Sequence, residues 1–194
     1  MVELLKTTKY PVKTPKFNVG NDAGIDFFVP SYSEGFLAAF QEKNPGKEIV
    51  KNKDGKYVIR VEPHGDVNIP SGIYSKFPAN IALIGANKSG IASKKKLVYG
   101  AHVIDASYQG IIHLHMINTS NDWQEIPLDE KIVQFIPTVI DISGVTVTED
   151  VEPENWFTEK TVRGDKGFGS TGTVEGSLVN KGLDFYIKAI FINF

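Results

Sequence analysis

Short runs of apolar residues, separated by glycine, proline and asparagine, dominate this chain. In one run Ile112, Leu114 and Met116 fall on one face, and two histidines fall on the other. Many short strands with turn residues between them are typical of a β-barrel or a β-sandwich, so we predict an all-β fold. The predicted strands span 58–61, 111–117, 131–136, 145–147 and 183–192.

One segment has helical spacing instead. Ser33 is a predicted N-cap, Phe36 and Phe40 recur at helical intervals, and an Asn-Pro-Gly run predicts the end of the helix. The Lys-Asp-Gly-Lys sequence at 53–56 then predicts a hairpin turn. We interpret the region from about 31 to 61 as an insert in a β domain, called the 31–61 insert below.

The C-terminal part has a different organisation. A glycine-rich arm at 163–172 closes a predicted β-barrel domain over 1–172, and 173–194 forms a C-terminal extension. The extension ends in a strongly apolar strand, which must be covered by its own core or by a partner subunit. We expect this strand to tether the arm at both ends.

Composition narrows the functional class. The 194 residues are 41% hydrophobic and carry a formal net charge of −2, which argues against a protein that mainly grips nucleic acid. The chain has no cysteine, so disulfides and thiolate chemistry are excluded. No run approaches the ~20 apolar residues of a membrane span. We expect a soluble protein of the cytoplasm, or of a host cytoplasm should a phage encode it.

Two short elements combine charge with small residues. Asp26 follows an Ala-Gly-Ile turn at the start of a strand, where a structural aspartate that caps backbone amides is the alternative. Lys88, Ser89 and Gly90 can offer a cation, a hydroxyl and a close backbone approach to a phosphate. A solvated turn explains these three residues equally well.

Three further elements offer other chemistry. Asp105 at a strand end can accept a proton from water, and the Tyr108 ring can stack on a sugar or base, although a simple hairpin is the alternative. Gln134 stands among apolar residues and needs a polar partner, either backbone or ligand. The glycine-rich run at 163–172 suits phosphates, and Phe168 within it favours stacking over a linker role.

In this order the five elements resemble the five motifs of the trimeric dUTP diphosphatase (dUTPase) family. The resemblance extends in blocks from Ala23 to Gly172 and implies a jelly-roll-like β-barrel. The short helical insert and the extra C-terminal strand, both predicted from the sequence pattern, depart from the family. The matching blocks are Ala23 to Asp26, Lys88 to Gly90, Gly100 to Gly110, Lys131 to Gln134 and Arg163 to Gly172.

The resemblance implies an enzyme that cuts dUTP into dUMP and pyrophosphate, keeping uracil out of DNA. Asp105 would deprotonate the water that attacks the α-phosphorus. Tyr108 would pack beneath the deoxyribose and exclude a 2′-hydroxyl, while the hairpin with Gly100, Val103 and Ile104 would read the uracil edge.

The resemblance also implies phosphate contacts. Lys88, Ser89, Gly90 and Gln134 would bind the phosphate chain. Phe168 would stack over uracil as the arm closes. The terminal phosphates would be held by Arg163, Gly169, Ser170 and Thr171.

A metal cofactor and a partner follow from the same resemblance. Mg²⁺ would be chelated by the three phosphates, and Asp26 would reach it only through water. The chain would form a homotrimer whose active sites are shared between subunits, with no nucleic acid or membrane partner.

Some residues depart from the family pattern, and alternatives remain. Lys88 stands where arginine is usual, so a point charge replaces a bidentate fork. A dCTP deaminase of the same fold would need a glutamate on the strand that instead carries His113 and His115. A regulatory, protein-binding module is the non-enzymatic alternative. The two histidines share a strand face and could bind a metal, although a polar face or subunit interface is the simpler explanation.

Overall fold

The computed structural model of the chain describes residues 1–18, 20, 22–141, 143–157, 159 and 161. They belong to two compact units, 1–144 and 145–194. The first unit has the strands β1 (Glu3–Lys6), β2 (Ile25–Phe28), β3 (Ile49–Lys51), β4 (Tyr57–Val61), β5 (Asp66–Pro70), β6 (Ile73–Lys76), β7 (Ile81–Asn87), β8 (Leu97–Tyr99), β9 (Val103–Ile104), β10 (His113–Asn118), β11 (Gln124–Pro127) and β12 (Lys131–Val139). Its helices are α1 (Glu34–Lys43) and α2 (Ser89–Lys95).

The strands of the first unit pair antiparallel in four small sheets. Their orders are β2-β12-β7-β9, β5-β10-β8, β11-β4-β3 and β1-β6. This all-β, jelly-roll-like architecture confirms the predicted fold class. β12 lies between β2 and β7, so side chains near the ends of three strands come together around it.

The core is built from alternating positions of these strands. Ile112, Leu114 and Met116 are fully buried while their neighbours are only half-buried, which confirms the alternation predicted for β10. Phe27 and Phe135 pack at 4.6 Å between ring centroids across the β2–β12 pair. Such period-two burial fixes the register, because a slip by one residue would expose the whole apolar face.

The predicted helix of the 31–61 insert is confirmed. The Ser33 side chain accepts a hydrogen bond from the Phe36 N–H, and the helix ends at Asn44. Phe36 and Phe40 are fully buried. The Asn44 amide donates to the carbonyls of Phe40 at 2.8 Å and Asn68 at 2.9 Å, which ties the helix end to β5.

The second half of the 31–61 insert is part of a sheet. The predicted turn at 53–56 joins β3 to β4, and Gly55 within it has φ +73°, a conformation that favours glycine. β4 pairs with β11, and Val58, Ile59 and Val61 are fully buried. The insert is therefore packed into the core rather than attached to its surface.

The prediction of a strand at 145–147 was wrong. These residues have no regular structure, and Val145 and Val147 are 71% and 83% exposed. A three-residue apolar run forms a strand only with a pairing partner, and local sequence does not supply one. In this second unit the described element is the one-turn helix α3 (Pro153–Trp156), with proline at its first position.

Several sequence predictions lie outside the described residues. They concern the glycine-rich arm at 163–172 and the strand at 183–192. Within the described part of the chain, no helix combines the length and the apolar character that crossing a membrane requires.

Candidate functional site

A cavity of about 410 Å³ opens where β2, β7 and β12 meet. We call it the lysine cavity because two lysines line it, Lys88 between β7 and α2 and Lys131 at the start of β12. Of the residues predicted to bind phosphate, Lys88, Ser89, Gly90 and Gln134 line it together. The full lining is Asn18, Asp22, Ala23, Asp26, Lys88, Ser89, Gly90, Ile91, Lys131 and Gln134.

A buried carboxylate holds the two lysines of this cavity. The Asp26 side chain is 3% exposed; its Oδ1 accepts a hydrogen bond from Lys88 Nζ, and its Oδ2 lies 2.9 Å from Lys131 Nζ. Oδ2 has no well-aligned hydrogen bond, so the Lys131 contact is an ion pair. Burial raises the pKa of Asp26, but the two ammonium groups outweigh it and hold the pKa below its ordinary value.

Gln134 is positioned by close packing and by a backbone contact. Its amide donates to the Asn87 carbonyl at 3.2 Å. A Cβ on Gly24 would lie 2.7 Å from Gln134 Oε1, so glycine leaves room for this amide. The polar partner predicted for Gln134 is therefore the backbone carbonyl of Asn87, and the Gln134 amide lines the cavity.

Sequence reasoning assigned no role to Lys131 because a β-bulge decides where it points. Lys131 pairs with Phe28 and Val133 pairs with Phe27, so an extra residue stands in β12 at this point. With strict alternation, Lys131 and Gln134 would point to opposite faces of β12. Because of the bulge, both side chains line the same cavity. A single sequence carries no signal that would have located it.

A second cavity, of about 500 Å³, contains the predicted catalytic carboxylate and is called the Asp105 cavity. Asp105, Tyr108, Val103 and Ile104 line it as predicted, while Gly100 lies immediately before the lining residue Ala101. The full lining is Lys43, Asp66, Asn68, Tyr99, Ala101, Val103, Ile104, Asp105, Tyr108, His113 and His115.

Asp105 and Tyr108 are joined by a tight turn. The Tyr108 N–H donates to the Asp105 carbonyl at 3.1 Å, and the Tyr108 hydroxyl donates to the Ile111 carbonyl at 2.8 Å. A Cβ on Gly110 would lie 2.5 Å from the Tyr108 hydroxyl oxygen. The ring is thereby fixed, although its side chain remains 39% exposed at the cavity.

The hairpin between β8 and β9 is anchored by hydrogen bonds to β7 and β10. The Tyr99 N–H donates to Asn87 Oδ1 at 2.6 Å, and the Gly100 N–H donates to the His115 carbonyl at 2.9 Å. A Cβ on Gly85 would lie 2.0 Å from Tyr99 Cε1, so Gly85 admits the buried ring. The Gly100 N–H is therefore already paired within the protein.

Besides Asn68 of β5, four ionisable residues of the Asp105 cavity, Lys43, Asp66, His113 and His115, were not predicted as site residues. Lys43 comes from the end of α1, Asp66 from β5, and His113 and His115 from β10. His115 Nε2 lies 2.6 Å from Asp66 Oδ2. Burial, followed by the charge of Lys43, lowers the pKa of His113. The polar face of β10 could be read from the sequence; its juxtaposition with α1 could not.

The structure does not gather all predicted site residues in one place. Asp105 and Tyr108 lie on one cavity, and Ser89 and Gln134 lie on the other. Arg163, Phe168, Gly169, Ser170 and Thr171 lie outside the described residues. Among the residues that the structure describes, no group of three or more histidines and carboxylates is arranged to hold a metal ion.

Comparison with known proteins identifies the family. The dUTPase family model matches residues 55–172, which include the second to fifth motifs and leave Asp26 outside the match. The deoxyuridine 5′-triphosphate nucleotidohydrolase of Oryza sativa subsp. japonica is 32% identical over 136 residues, covering 70% of each chain. A probable enzyme of the same name from Schizosaccharomyces pombe is 35% identical over 125 residues, covering 64% of this chain and 77% of its own.

Solved structures share the fold. The dUTPase of Staphylococcus bacteriophage 80alpha with dUPNHPP has a TM-score of 0.63 at 21% identity, covering 89% of this chain and 99% of its own. A mutant dUTPase of phage phi11 of S. aureus, described as coordinating a structural Mg(II) ion, has a TM-score of 0.56 at 16% identity, covering 77% of this chain and 97% of its own. The family match and the rice relative place this chain in the dUTPase family.

Proposed function

We propose that the protein hydrolyses dUTP to dUMP and pyrophosphate. One observation carries this proposal: a single chain presents one cavity with the ammonium groups of Lys88 and Lys131 and the hydroxyl of Ser89, and a separate cavity with Asp105 and an exposed tyrosine ring. The first suits a polyphosphate and the second suits a nucleoside next to a general base. The relatives that carry the name deoxyuridine 5′-triphosphate nucleotidohydrolase support this substrate.

Asp105 acts in this proposal as the general base. Its carboxylate takes a proton from water, the water oxygen forms a bond to the α-phosphorus, and the bond to the bridging oxygen breaks to release pyrophosphate. Asp105 is exposed at the cavity surface and directly follows β9, whose two residues are held by pairing with β7. Orientation of the base and charge neutralisation of the phosphates would then supply most of the catalysis.

Tyr108 and the β8–β9 hairpin give the proposed specificity. A ring held by its hydroxyl against the Ile111 carbonyl cannot move aside for a 2′-hydroxyl, so UTP would be excluded. The hairpin backbone around Ala101 and Val103 would bind the uracil edge too closely to admit the methyl group of thymine.

The proposed metal is a magnesium ion carried by the substrate. Both Asp26 oxygens face lysines, and the carboxylate is buried, so it does not fit direct coordination. The ammonium groups of Lys88 and Lys131 and the hydroxyl of Ser89 would instead bind phosphate oxygens of a magnesium–nucleotide complex. When bound, the ion neutralises phosphate charge, as expected for a hard cation with oxygen ligands.

We further propose that the active site forms between copies of the chain in a homotrimer. The separation of Asp105 and Tyr108 from Ser89 and Gln134 supports this assembly, because a composite site joins one copy's Asp105 cavity to another's lysine cavity. The alternative of one site within one chain requires all four residues on a single cavity.

Pyrophosphate release tests the activity. We expect release with dUTP and much less with UTP, dTTP or dCTP, and loss of turnover in Asp105→Asn with nucleotide binding retained. Ammonia release from dCTP would instead indicate a deaminase. A folded protein that neither binds nor turns over any of these four nucleotides would favour a regulatory, protein-binding module.

Mixing two inactive variants tests the shared site. Asp105→Asn and Gln134→Ala, co-refolded in equal amounts, should regain activity, because about a quarter of randomly assembled sites would combine the intact halves. Native mass gives the number of copies. A trimer without any regained activity would contradict the composite site.

A further inference from the structure

The lysine cavity contains a buried carboxylate between two ammonium groups. Asp26 is 2% exposed, and its two oxygens face two different ammonium groups, Lys88 on Oδ1 and Lys131 on Oδ2. Lys88 belongs to the second motif that the sequence matched, whereas Lys131 has no assigned role. Both lysine side chains are partly exposed to the cavity, at 23% and 35%.

The three residues are supported by different strands around β12. Asp26 pairs with Gln134, Lys131 pairs with Phe28, and Lys88 follows the last residue of β7. The β12 bulge turns Lys131 towards the cavity that Gln134 also lines. Asn18 gives Lys131 a further anchor, since Lys131 Nζ donates to Asn18 Oδ1 at 2.8 Å.

Two ammonium groups this close would repel each other without a carboxylate between them. Asp26 cancels one of the two charges, so the group of three keeps a net charge of +1. Asp22 also lines the cavity and offsets that charge over the cavity as a whole. Each ammonium has three hydrogens. Lys88 can keep its contact to Asp26 and direct two hydrogens to phosphate oxygens, while Lys131, which also donates to Asn18, can direct one. A metal that approached Asp26 would first have to displace a lysine.

We propose that Lys131 is a further phosphate-binding residue of this enzyme, and that Asp26 is a positioning residue that holds Lys88 and Lys131 towards the phosphate chain. This inference rests on the proposed function and refines its phosphate site. It gives Asp26 a different role from water-mediated contact with magnesium.

Inorganic tripolyphosphate, titrated by calorimetry without magnesium, is the probe because it needs neither turnover nor a base. We expect Lys131→Met to weaken tripolyphosphate binding by about tenfold, the effect of losing one charge-assisted hydrogen bond. Lys131→Arg should recover most of this loss. Lys53→Met, an exposed lysine in the β3–β4 turn, is the matched control and should leave binding unchanged.

Asp26→Asn separates the two roles of the carboxylate. If Asp26 positions the two lysines, Asp26→Asn should bind tripolyphosphate more weakly in the absence of metal. The magnesium concentration for half-maximal dUTP turnover should stay within about twofold of the value for the original protein. Unchanged tripolyphosphate binding in Lys131→Met, or a large rise in the magnesium requirement of Asp26→Asn with metal-free binding intact, would overturn the inference.

The two proposals fail differently. A protein that binds tripolyphosphate through Lys131 but releases no pyrophosphate from dUTP would refute the proposed function and leave the phosphate site standing. Normal dUTP turnover by the Lys131→Met variant, with its fold verified by thermal unfolding, would refute the role of Lys131 in phosphate binding and leave the proposed function standing.

Discussion

Gly24 and Gln134 are in direct contact, although 110 positions separate them along the chain: a Cβ on Gly24 would stand 2.7 Å from Gln134 Oε1. β2 and β12 bring them together, since Asp26 and Gln134 are paired in the sheet. The glycine of the first motif therefore sets the position of the amide of the fourth. This relationship gives Gly24 a steric role that does not depend on its backbone freedom.

Gly24→Ala should disturb the Gln134 amide and lower kcat/KM for dUTP by about tenfold, equivalent to about 1.4 kcal/mol. The added methyl group meets the side chain and would turn it away from the cavity. Gly20→Ala is the control, because nothing lies within 4 Å of a Cβ there.

A double-mutant cycle checks the mechanism of that loss. In a Gln134→Ala background, Gly24→Ala should cost much less, because Oε1 and Cγ are gone and only the 3.0 Å contact with the Cβ of residue 134 remains. Additive losses in the cycle would show that Gly24 acts independently of Gln134.

Asp26 should make the stability of the protein pH-dependent. Its pKa is lowered in the folded protein: burial opposes the charged form, but Lys88 and Lys131 favour it more strongly. The unfolded state thus binds the proton more tightly, with an ordinary pKa of about 3.9. Stabilisation by Asp26 is present above that pH and is lost as the pH falls through the lower folded pKa.

Urea unfolding of the original protein and of Asp26→Asn between pH 7 and pH 3 measures this contribution. We expect the difference in free energy of unfolding to be largest above about pH 5 and to shrink below about pH 4. Asp54→Asn, an exposed site in the β3–β4 turn, is the matched control variant. A pH-independent difference for Asp26 would contradict the lowered pKa.

Asn118 should be a major polar determinant of stability. It is fully buried at the end of β10, and the two hydrogens of its amide are shared among the carbonyls of Val61, Glu62 and Asp122, at 3.2, 2.9 and 2.7 Å from the nitrogen. Its Oδ1 accepts from the Ser120 N–H at 2.9 Å. Removing it leaves several backbone groups unsatisfied.

We expect Asn118→Ala to lower the free energy of unfolding by about 3 kcal/mol, measured by chemical denaturation. Asn121→Ala in the same loop is the control. Its side chain makes an exposed contact with His64 Nε2 at 2.8 Å, so its loss should cost less than about 1 kcal/mol. Equal losses at the two positions would argue against the buried network.

Phe40 tests whether the 31–61 insert belongs to the core. Its ring is fully buried and packs beside Phe36 at 6.2 Å between centroids. Phe40→Ala should lower the free energy of unfolding of the whole domain by about 3–5 kcal/mol, in a single unfolding transition. The control is Gln41→Ala at the next position, where the side chain is exposed and its loss should be nearly neutral. A separate early transition for α1 would show that the insert unfolds independently.

The sequence alone specified much of this protein because its signals are local. Alternation along β10, the Ser33 cap with Phe36 and Phe40, and the glycine at the 53–56 turn each depend on neighbouring residues, and each prediction was confirmed. The family was also recognisable, since its motifs are short and stand in order along the chain.

Only the tertiary structure decided the rest, because the deciding contacts join distant residues. The run at 145–147 has strand-like composition but no partner, so it forms no strand. A bulge in β12, which alternation does not reveal, placed Lys131 beside Asp26 and Lys88. Packing of α1 against β5 brought Lys43 to the cavity of Asp105. Local pattern selects an element and its face, whereas long-range pairing determines which faces meet.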